Sequence, residues 1–194
     1  MLNRFKNRII LKLIRWVEKI KIDSIKQSMN NNYDNVSKDF QFDKYFSFLK
    51  INDDFRMVIE DGVLFRKYCQ VTIHPNAFLE IKKNVFFNNY CSVNCLGTII
   101  IGENTIFGEG VKIYDHNHKY NYDELGSLKI ERNNFSIGKI SIGKNCWIGS
   151  NVTILNNVEI GENVIIGANN LIYKSIPSNS VVKQNTVPVI SMGK

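Results

Sequence analysis

The sequence lacks two features that would send the chain to or across a membrane during synthesis. No apolar run reaches the length of a membrane-spanning helix, because charged residues interrupt every hydrophobic stretch. At the N-terminus, no small-residue cleavage site of the signal-peptide type follows the first apolar residues. Together these absences predict a cytoplasmic protein.

Cysteine is scarce, and its spacing does not suit a zinc site. The four cysteines do not form pairs of the CxxC type, and a reducing compartment disfavours disulfides. We therefore expect small, buried core residues at these positions. The four are Cys69, Cys91, Cys95 and Cys146.

The net charge of +7 belongs almost entirely to one short segment. Residues 1–27 carry eight Lys or Arg against Glu18 and Asp23, a net charge of +6, which leaves +1 for the rest of the chain. A general nucleic-acid surface is therefore not expected. No nucleic acid is predicted among the partners.

Residues 2–27 are predicted to form a basic amphipathic helix, because apolar and cationic residues recur at helical spacing. Such a helix either packs on its own protein or a neighbouring subunit, or lies on an anionic membrane. We favour packing and keep peripheral contact with the inner face of the membrane as the alternative. The apolar positions are Leu2, Phe5, Ile9, Leu13, Trp16, Val17 and Ile20.

The chain is predicted to divide near residue 57. Residues 1–56 would hold the helix, an Asn-rich linker and a short aromatic packing element. Residues 57–194 turn β-like and would form the main domain.

A six-residue repeat dominates the second half of the chain. From Ile142 the sequence divides into IGKNCW, IGSNVT, ILNNVE, IGENVI, IGANNL and IYKSIP. The period predicts a short strand and a sharp turn every six residues, with Ile in the core and Asn at turns of positive φ. Each unit buries its apolar side only by stacking on its neighbours, so the fold is a β-solenoid. The same phase recurs upstream from Ile81 and from Ile101.

The repeat is lost between His118 and Ile142. Residues 119–138 are polar, and we expect a long irregular loop that protrudes from the coils. A loop of this length inside a compact repeat is usually functional, and two of the three histidines, His116 and His118, lie where the repeat fails.

From Ile81 to Ile190 the chain resembles the hexapeptide-repeat acyltransferases. The most specific part of that likeness is the block ISIGKNCWIGSNVTILNNVEIGENVIIGANNLIYKSIPSNSVV. It resembles the branch that contains galactoside, maltose and xenobiotic acetyltransferases and polysaccharide O-acetyltransferases. The resemblance implies an all-β, left-handed parallel β-helix with an N-terminal helical segment. It also implies a homotrimer with active sites between subunits, acetyl-CoA as co-substrate, no metal, and a sugar hydroxyl of a capsular, exopolysaccharide or O-antigen glycan, or its precursor, as acceptor.

The catalytic candidates follow from the chemistry of acetyl transfer to an alcohol, which needs a base of suitable pKa. His118 aligns with the catalytic histidine of the family and is the expected general base. His116 is the alternative base or its support, and Asp115 is a candidate to orient an imidazole. His74 precedes Pro75 in an early turn and is expected to be structural.

The binding candidates come from matching positions of the family. Asn88 matches a substrate-binding position, and Asn94 is a candidate because it lies near the histidines in the repeat. For acetyl-CoA, a cation such as Lys174 suits a phosphate, and an outward tryptophan on a solenoid face suggests a ligand or neighbour. The cofactor-binding candidates are Trp147, Ser150, Ala168, Tyr173 and Lys174.

Three alternatives remain open. One is N-acetylation of an amino sugar, which needs less help from a base. Another is a metal-binding solenoid that holds zinc through three histidines, a geometry poorly supplied by two histidines without a third nearby. The third is a non-catalytic solenoid that serves as a scaffold.

Overall fold

The computed structural model describes residues 2–29 and 35–183. Helix α1 spans Leu2–Met29. The strands in chain order are β1 (Asn35–Val36), β2 (Gln41–Phe42), β3 (Ser47–Lys50), β4 (Arg56–Ile59), β5 (Leu64–Phe65), β6 (Gln70–Ile73), β7 (Phe78–Ile81), β8 (Phe86–Phe87), β9 (Ser92–Cys95), β10 (Thr98–Ile101), β11 (Ile106–Phe107), β12 (Lys112–Tyr114), β13 (His116–Tyr122), β14 (Leu128–Ile137), β15 (Lys139–Ile142), β16 (Trp147–Ile148), β17 (Thr153–Ile154), β18 (Val158–Ile160), β19 (Ile165–Ile166), β20 (Leu171–Ile172) and β21 (Val181–Val182).

The strands form three parallel sheets that the chain visits in turn. Sheet A has the order β1-β4-β7-β10-β15-β18, sheet B the order β2-β5-β8-β11-β16-β19-β21, and sheet C the order β20-β17-β12-β9-β6-β3. One strand from each sheet makes one coil, and the three sheets are the sides of a prism. The predicted parallel β-helix with an N-terminal helix is confirmed, and the arrangement is consistent with the left-handed winding that the resemblance implies.

The repeat isoleucines form the core, as predicted. Each leads its six-residue unit, and its side chain is at most 5% exposed; they are Ile142, Ile148, Ile154, Ile160, Ile166 and Ile172. The corner positions four residues after the first four of these isoleucines are also buried; they are Cys146, Val152, Val158 and Val164. All four cysteines are buried free thiols. Each coil therefore obtains its apolar contacts from the coils above and below it.

Asparagine shapes the corners between strands. The five repeat asparagines adopt positive φ, as the period predicts; they are Asn145, Asn151, Asn157, Asn163 and Asn169, with φ of 57–61°. At the corner between sheets A and B, asparagine amides also bond from coil to coil. The amide of Asn145 donates to Oδ1 of Asn163, and that of Asn163 donates to Oδ1 of Asn179. These side-chain bonds link the corner of one coil to the same corner of the next.

The coils begin well before residue 57. β1, β2 and β3 pair in parallel with β4, β5 and β6, so residues 35–50 form a first coil. The aromatic stretch within it, expected to be a separate packing element, supplies the buried side chains of Phe40 and Phe46. Phenylalanine replaces isoleucine in this part of the core, which hides the six-residue pattern from the sequence.

The C-terminal end of α1 packs on this first coil. Met29 is fully buried, and Ile25 packs against the core. Lys26 Nζ donates to the carbonyl oxygen of Lys38 at 3.1 Å, and Glu18 pairs with Lys44 at 3.5 Å. Within the described residues, no helix has both the length and the apolar character that crossing a bilayer requires.

The prediction of an irregular loop over residues 119–138 is wrong. It forms most of an antiparallel hairpin in which β13 pairs with β14, with a register shift between His118 and Tyr120. Nearly all of its side chains are exposed, so neither face carries the apolar alternation that marks a half-buried strand. Its order comes from backbone pairing and from the coils that hold its base.

We expect opposite faces of one strand to differ sharply in their contribution to stability. In β19, Ile166 is 1% exposed and Ile165 is 39% exposed. Ile166→Ala should lower the free energy of unfolding by about 2–5 kcal/mol, since it leaves a cavity between coils. Ile165→Ala, the matched control, should cost about 1 kcal/mol or less. Urea denaturation measures both, and equal losses would contradict the assigned core.

Candidate active site

The hairpin leaves the prism at the corner between sheets C and A. It joins β12 of sheet C to β15 of sheet A, so the partner of Thr98 in the next coil is Lys139. At the base of the hairpin, the backbone N–H of Gly138 donates to the carbonyl oxygen of Asp115 at 2.7 Å. The amide of Asn117 donates to Oδ1 of Asn156 in the following coil at 2.9 Å. The hairpin is therefore attached to the coils at its base.

Asp115 anchors this corner from inside the protein. Its side chain is fully buried, and its Oδ1 and Oδ2 accept the backbone N–H groups of Leu96 at 2.9 Å and Gly97 at 2.8 Å. A buried carboxylate is stable only with such partners. Leu96 and Gly97 form the same corner one coil below. Asp115 therefore ties the point where the hairpin departs to the preceding coil.

His116 lies against this carboxylate. Its Nδ1 is 3.2 Å from Asp115 Oδ1, and its side chain is 13% exposed. An ionised carboxylate only accepts hydrogen bonds, so neutral His116 carries its proton on Nδ1 and a lone pair on Nε2. Asp115 and His116 are thus in contact, and the orienting role of Asp115 stays a prediction.

His118 is exposed two residues further along β13. Its Nδ1 is 3.3 Å from the carbonyl oxygen of Glu131 on the opposite strand of the hairpin. Since a carbonyl oxygen accepts only, this contact also leaves the lone pair on Nε2 in the neutral ring. Residues two apart on a strand share a face, so both imidazoles project from the same side of β13.

Two aromatic residues that the sequence did not mark for function complete this cluster. The ring of Phe135, from β14, lies 5.4 Å from that of His116 and 4.7 Å from that of His118. His74, expected to be only structural, lies 6.5 Å from His116, and all distances are between ring centroids. The earlier coils are longer than the 18-residue coils of the regular repeat and carry additional residues at the corner between sheets C and A. That additional length is the one sequence signal that could have indicated the approach of His74 to His116.

The environment lowers the pKa of His74. Burial disfavours its charged form most strongly, the charge of His116 lowers the pKa further, and the carboxylate of Asp115 opposes both effects. The cluster therefore favours a neutral imidazole at its inner end.

The two candidate asparagines lie apart. Asn94, on sheet C, is the cross-coil partner of Tyr114, and its Oδ1 is buried without a hydrogen-bond partner in the described part of the chain. Asn88 lies at the corner between sheets B and C, and its Oδ1 accepts the backbone N–H of Asn89 at 2.9 Å. Asn94 is therefore near the histidine corner, whereas Asn88 is on another edge of the prism.

The cofactor candidates occupy two regions. Trp147, 58% exposed, projects from sheet B, and Ser150 and Ala168 follow on the corner between sheets B and C in successive coils. Tyr173 and Lys174 lie at the corner between sheets C and A, with Lys174 Nζ 5.6 Å from the ring centroid of Tyr173.

Within one chain the candidates do not converge on a single cleft. The B–C edge carries Asn88, Ser150 and Ala168, with Trp147 beside it on sheet B. The C–A edge carries Asp115, His116, His118, Tyr173 and Lys174. Sheet C, which carries Asn94, separates the two edges within one chain.

In residues 2–29 and 35–183, no three His, Cys, Asp or Glu side chains are grouped so that they could hold a metal ion. The third histidine that the sequence seemed to lack is nonetheless close, because His74 lies beside His116. Among the described residues, however, the three histidines do not form a group that could hold a metal ion.

We expect the pKa of His74 to report on both of its charged neighbours. An NMR titration should place it below about 6.5, the usual value for histidine. His116→Ala should raise it, because a nearby positive charge is removed. Asp115→Asn should lower it, because the stabilising carboxylate is removed. Shifts in the same direction for the two variants would contradict this arrangement.

The lowered pKa of His74 also makes the stability of the folded protein depend on pH. The unfolded chain binds the His74 proton more tightly, so His74 contributes stability above about pH 6.5 that is lost as the pH falls toward its folded-state pKa. His74→Gln should therefore reduce the loss of stability on acidification, measured as the urea midpoint at several pH values. An unchanged pH profile in this variant would rule out the contribution.

Comparison with known proteins agrees with the architecture. Residues 139–174 match the family model described as bacterial transferase hexapeptide (six repeats). No curated protein sequence matches the chain.

Solved structures share the fold at low sequence identity. A mutant of AntD, an N-acyltransferase from Bacillus cereus in complex with dTDP and coenzyme A, is 16% identical, covers 80% of this chain and 84% of its own, and superposes with a TM-score of 0.55. The polysialic acid O-acetyltransferase OatWY is 20% identical, covers 83% of this chain and 89% of its own, and has a TM-score of 0.52. These similarities establish the hexapeptide-repeat fold.

Proposed function

We propose that this chain, whose coils carry the hexapeptide repeat of bacterial transferases, is an acetyl-CoA-dependent O-acetyltransferase. Its acceptor is a sugar hydroxyl of a capsular, exopolysaccharide or O-antigen glycan or of a precursor, and it works in the cytoplasm. One observation carries the proposal. Two imidazoles share a face of β13, each with Nδ1 held and Nε2 left for proton transfer, at the point where the coils are interrupted.

His118 acts as the general base. It is the more exposed of the two, so its Nε2 reaches an acceptor from solvent. Nε2 removes the hydroxyl proton as the acceptor oxygen attacks the thioester carbonyl carbon. When the carbon–sulfur bond breaks, the same proton passes from Nε2 to the departing thiolate. The contact with the carbonyl oxygen of Glu131 keeps the ring in the tautomer that this step requires.

His116 and Asp115 support the base and line the acceptor site. Asp115 is fixed by two backbone N–H groups and in turn fixes His116. The packing of both imidazoles against Phe135 limits the rotation of the rings. A rigid arrangement of this kind lowers the cost of reaching the reactive geometry.

Asn94 contributes to acceptor binding. Its buried Oδ1 has no partner in the described chain, and a sugar hydroxyl would satisfy it once the Asn94 side chain turns outward. Asn88 lies on the other edge and would face an acceptor held between two copies. Its amide nitrogen remains available to donate to a sugar oxygen, since its Oδ1 is bonded to the backbone of Asn89.

Acetyl-CoA binds in a cleft between subunits of a homotrimer. The candidates divide between the B–C edge and the C–A edge, and a threefold assembly about an axis parallel to the prism brings these edges of adjacent copies together. Trp147, Ser150 and Ala168 would line the pantetheine arm, and Tyr173 and Lys174 would come from the neighbouring edge. Trp147 is 58% exposed, so its ring is accessible to such a ligand or neighbour.

The proposed O-acetylation and its nearest alternative, N-acetylation of an amino sugar, differ in the acceptor atom. The similar structures include an N-acyltransferase and an O-acetyltransferase. An amine nucleophile needs less help from a base than a hydroxyl does. A large loss of rate on removal of His118 would therefore favour transfer to oxygen.

We expect His118→Ala to lower kcat by about 10²- to 10⁴-fold, the usual contribution of a positioned base. Release of thiol from acetyl-CoA measures the rate, with sugar nucleotides and polysaccharide fragments as acceptors. His116→Ala should lower kcat less. A larger loss in His116→Ala than in His118→Ala would assign the base to His116.

His74→Ala is the matched control, because it removes a third imidazole from the same cluster without removing a proposed contact to substrate. Its kcat should remain within a few-fold of the native value. Native activity in both His118→Ala and His116→Ala would sink the enzymatic proposal and leave the scaffold interpretation.

We expect Trp147→Ala to raise the KM for acetyl-CoA by about tenfold, since it removes a large apolar contact surface from the pantetheine site. The KM for the acceptor should change little. Tyr45→Ala, an exposed aromatic of the first coil, is the control and should leave both KM values unchanged. Initial rates at varied acetyl-CoA test this, and an unchanged KM would remove Trp147 from the cofactor site.

A further inference from the structure

The exposed apolar stripe of α1 faces away from the solenoid. Four large side chains recur along the helix at Ile9, Leu13, Trp16 and Ile20, and they are 45%, 55%, 62% and 48% exposed. Such a contiguous apolar patch on a surface marks an interaction site.

The side of α1 that contacts the first coil is the opposite one. It carries Glu18, which pairs with Lys44, and Ile22, which lines a cavity beside the first coil. Ile25 and Met29 on the same side pack on the core. These four positions follow the stripe positions by nine residues each. At about 100° per residue, nine residues turn the helix by two and a half turns, which places the two sets on opposite sides. The helix therefore cannot bury its stripe on its own solenoid, which excludes one form of the packing expected from the sequence.

Cations line one border of the stripe. Arg8, Lys12 and Lys19 are exposed, and each directly precedes a stripe residue, which places them in a row about 100° around the helix from it. In the sequence Arg15 precedes Trp16 in the same way. A row of cations beside an apolar stripe, rather than across from it, suits a helix lying at a bilayer surface, where long basic side chains reach the headgroups.

The charge of the segment argues against a second copy as the partner. Residues 1–27 carry a net charge of +6, and helices of several subunits packed side by side would repel one another. An anionic lipid surface is attracted by the same charge.

We propose that α1 lies in the plane of an anionic membrane surface, with Ile9, Leu13, Trp16 and Ile20 in the outer acyl region and the cationic row at the headgroups. The attachment of α1 to the first coil through Met29 and Ile25 then holds the solenoid at that surface. This inference does not rest on the proposed function, since a scaffold would bind the membrane in the same way.

Vesicle flotation of the full chain tests the proposal. The native protein should float with vesicles of equal parts phosphatidylcholine and phosphatidylglycerol, and much less with phosphatidylcholine alone. Added salt should weaken binding to the anionic vesicles. Failure of the native chain to float with anionic vesicles would overturn the proposal.

A matched pair of leucines tests which side of the helix inserts. Leu13 and Leu11 are 55% and 53% exposed and lie on nearly opposite sides of α1. Leu13→Ser should weaken vesicle binding by about tenfold, because a stripe side chain is lost from the acyl region. Leu11→Ser should change it by less than about twofold. Equal effects of the two substitutions would contradict an inserted stripe.

A charge variant and the oligomeric state complete the test. Lys12→Gln with Lys19→Gln should weaken binding to anionic vesicles by about tenfold or more and leave binding to neutral ones unchanged. Sedimentation should give the same subunit number for the native chain and for Leu13→Ser. If Leu13→Ser instead separates the subunits, the stripe packs on a second copy and the membrane proposal is wrong.

Discussion

Every coil of this protein must close in register with the coil beneath it. The strands of the three sheets are only two to four residues long, so they obtain both their hydrogen bonds and their apolar neighbours from adjacent coils. Where the repeat is regular, Ile140 pairs with Val158 of the next coil, and every leading isoleucine stays in the core. A residue inserted within a strand would move its side chains from the core to the surface. Additional residues are therefore confined to corners.

This constraint explains why the candidate chemistry lies at one corner. The hairpin that carries His116 and His118 departs between sheets C and A, and the register of sheet A resumes on its far side, where Thr98 pairs with Lys139. Asp115 makes the departure stable by binding the backbone of the coil below, and the same carboxylate orients His116. One buried group thus serves both the integrity of the coils and the position of an imidazole.

The sequence predicted the regular coils well and the interruption poorly, for one physical reason. In the repeat, core isoleucines and left-handed asparagines such as Asn145 are dictated by local geometry, so their spacing is visible in the chain. In the hairpin, both faces are exposed, and backbone pairing leaves no periodic trace. The approach of His74 to His116 depends on the number of residues at successive corners, which no local pattern records. The first coil was hidden because phenylalanines such as Phe40 replace the repeat isoleucines in its core.

Because the candidate residues lie on two edges of the prism, the proposed site is formed only when chains assemble. His118 lies on the C–A edge and Trp147 beside the B–C edge, so the account requires that one site draws on two chains. The most direct test mixes unfolded His118→Ala and Trp147→Ala chains, refolds them together and measures acetyl transfer below saturation. In a closed cyclic assembly, random mixing should restore about a quarter of the native activity, because some interfaces receive both intact residues. Activity no higher than that of the separate variants would show that both residues act within one chain and would contradict the account.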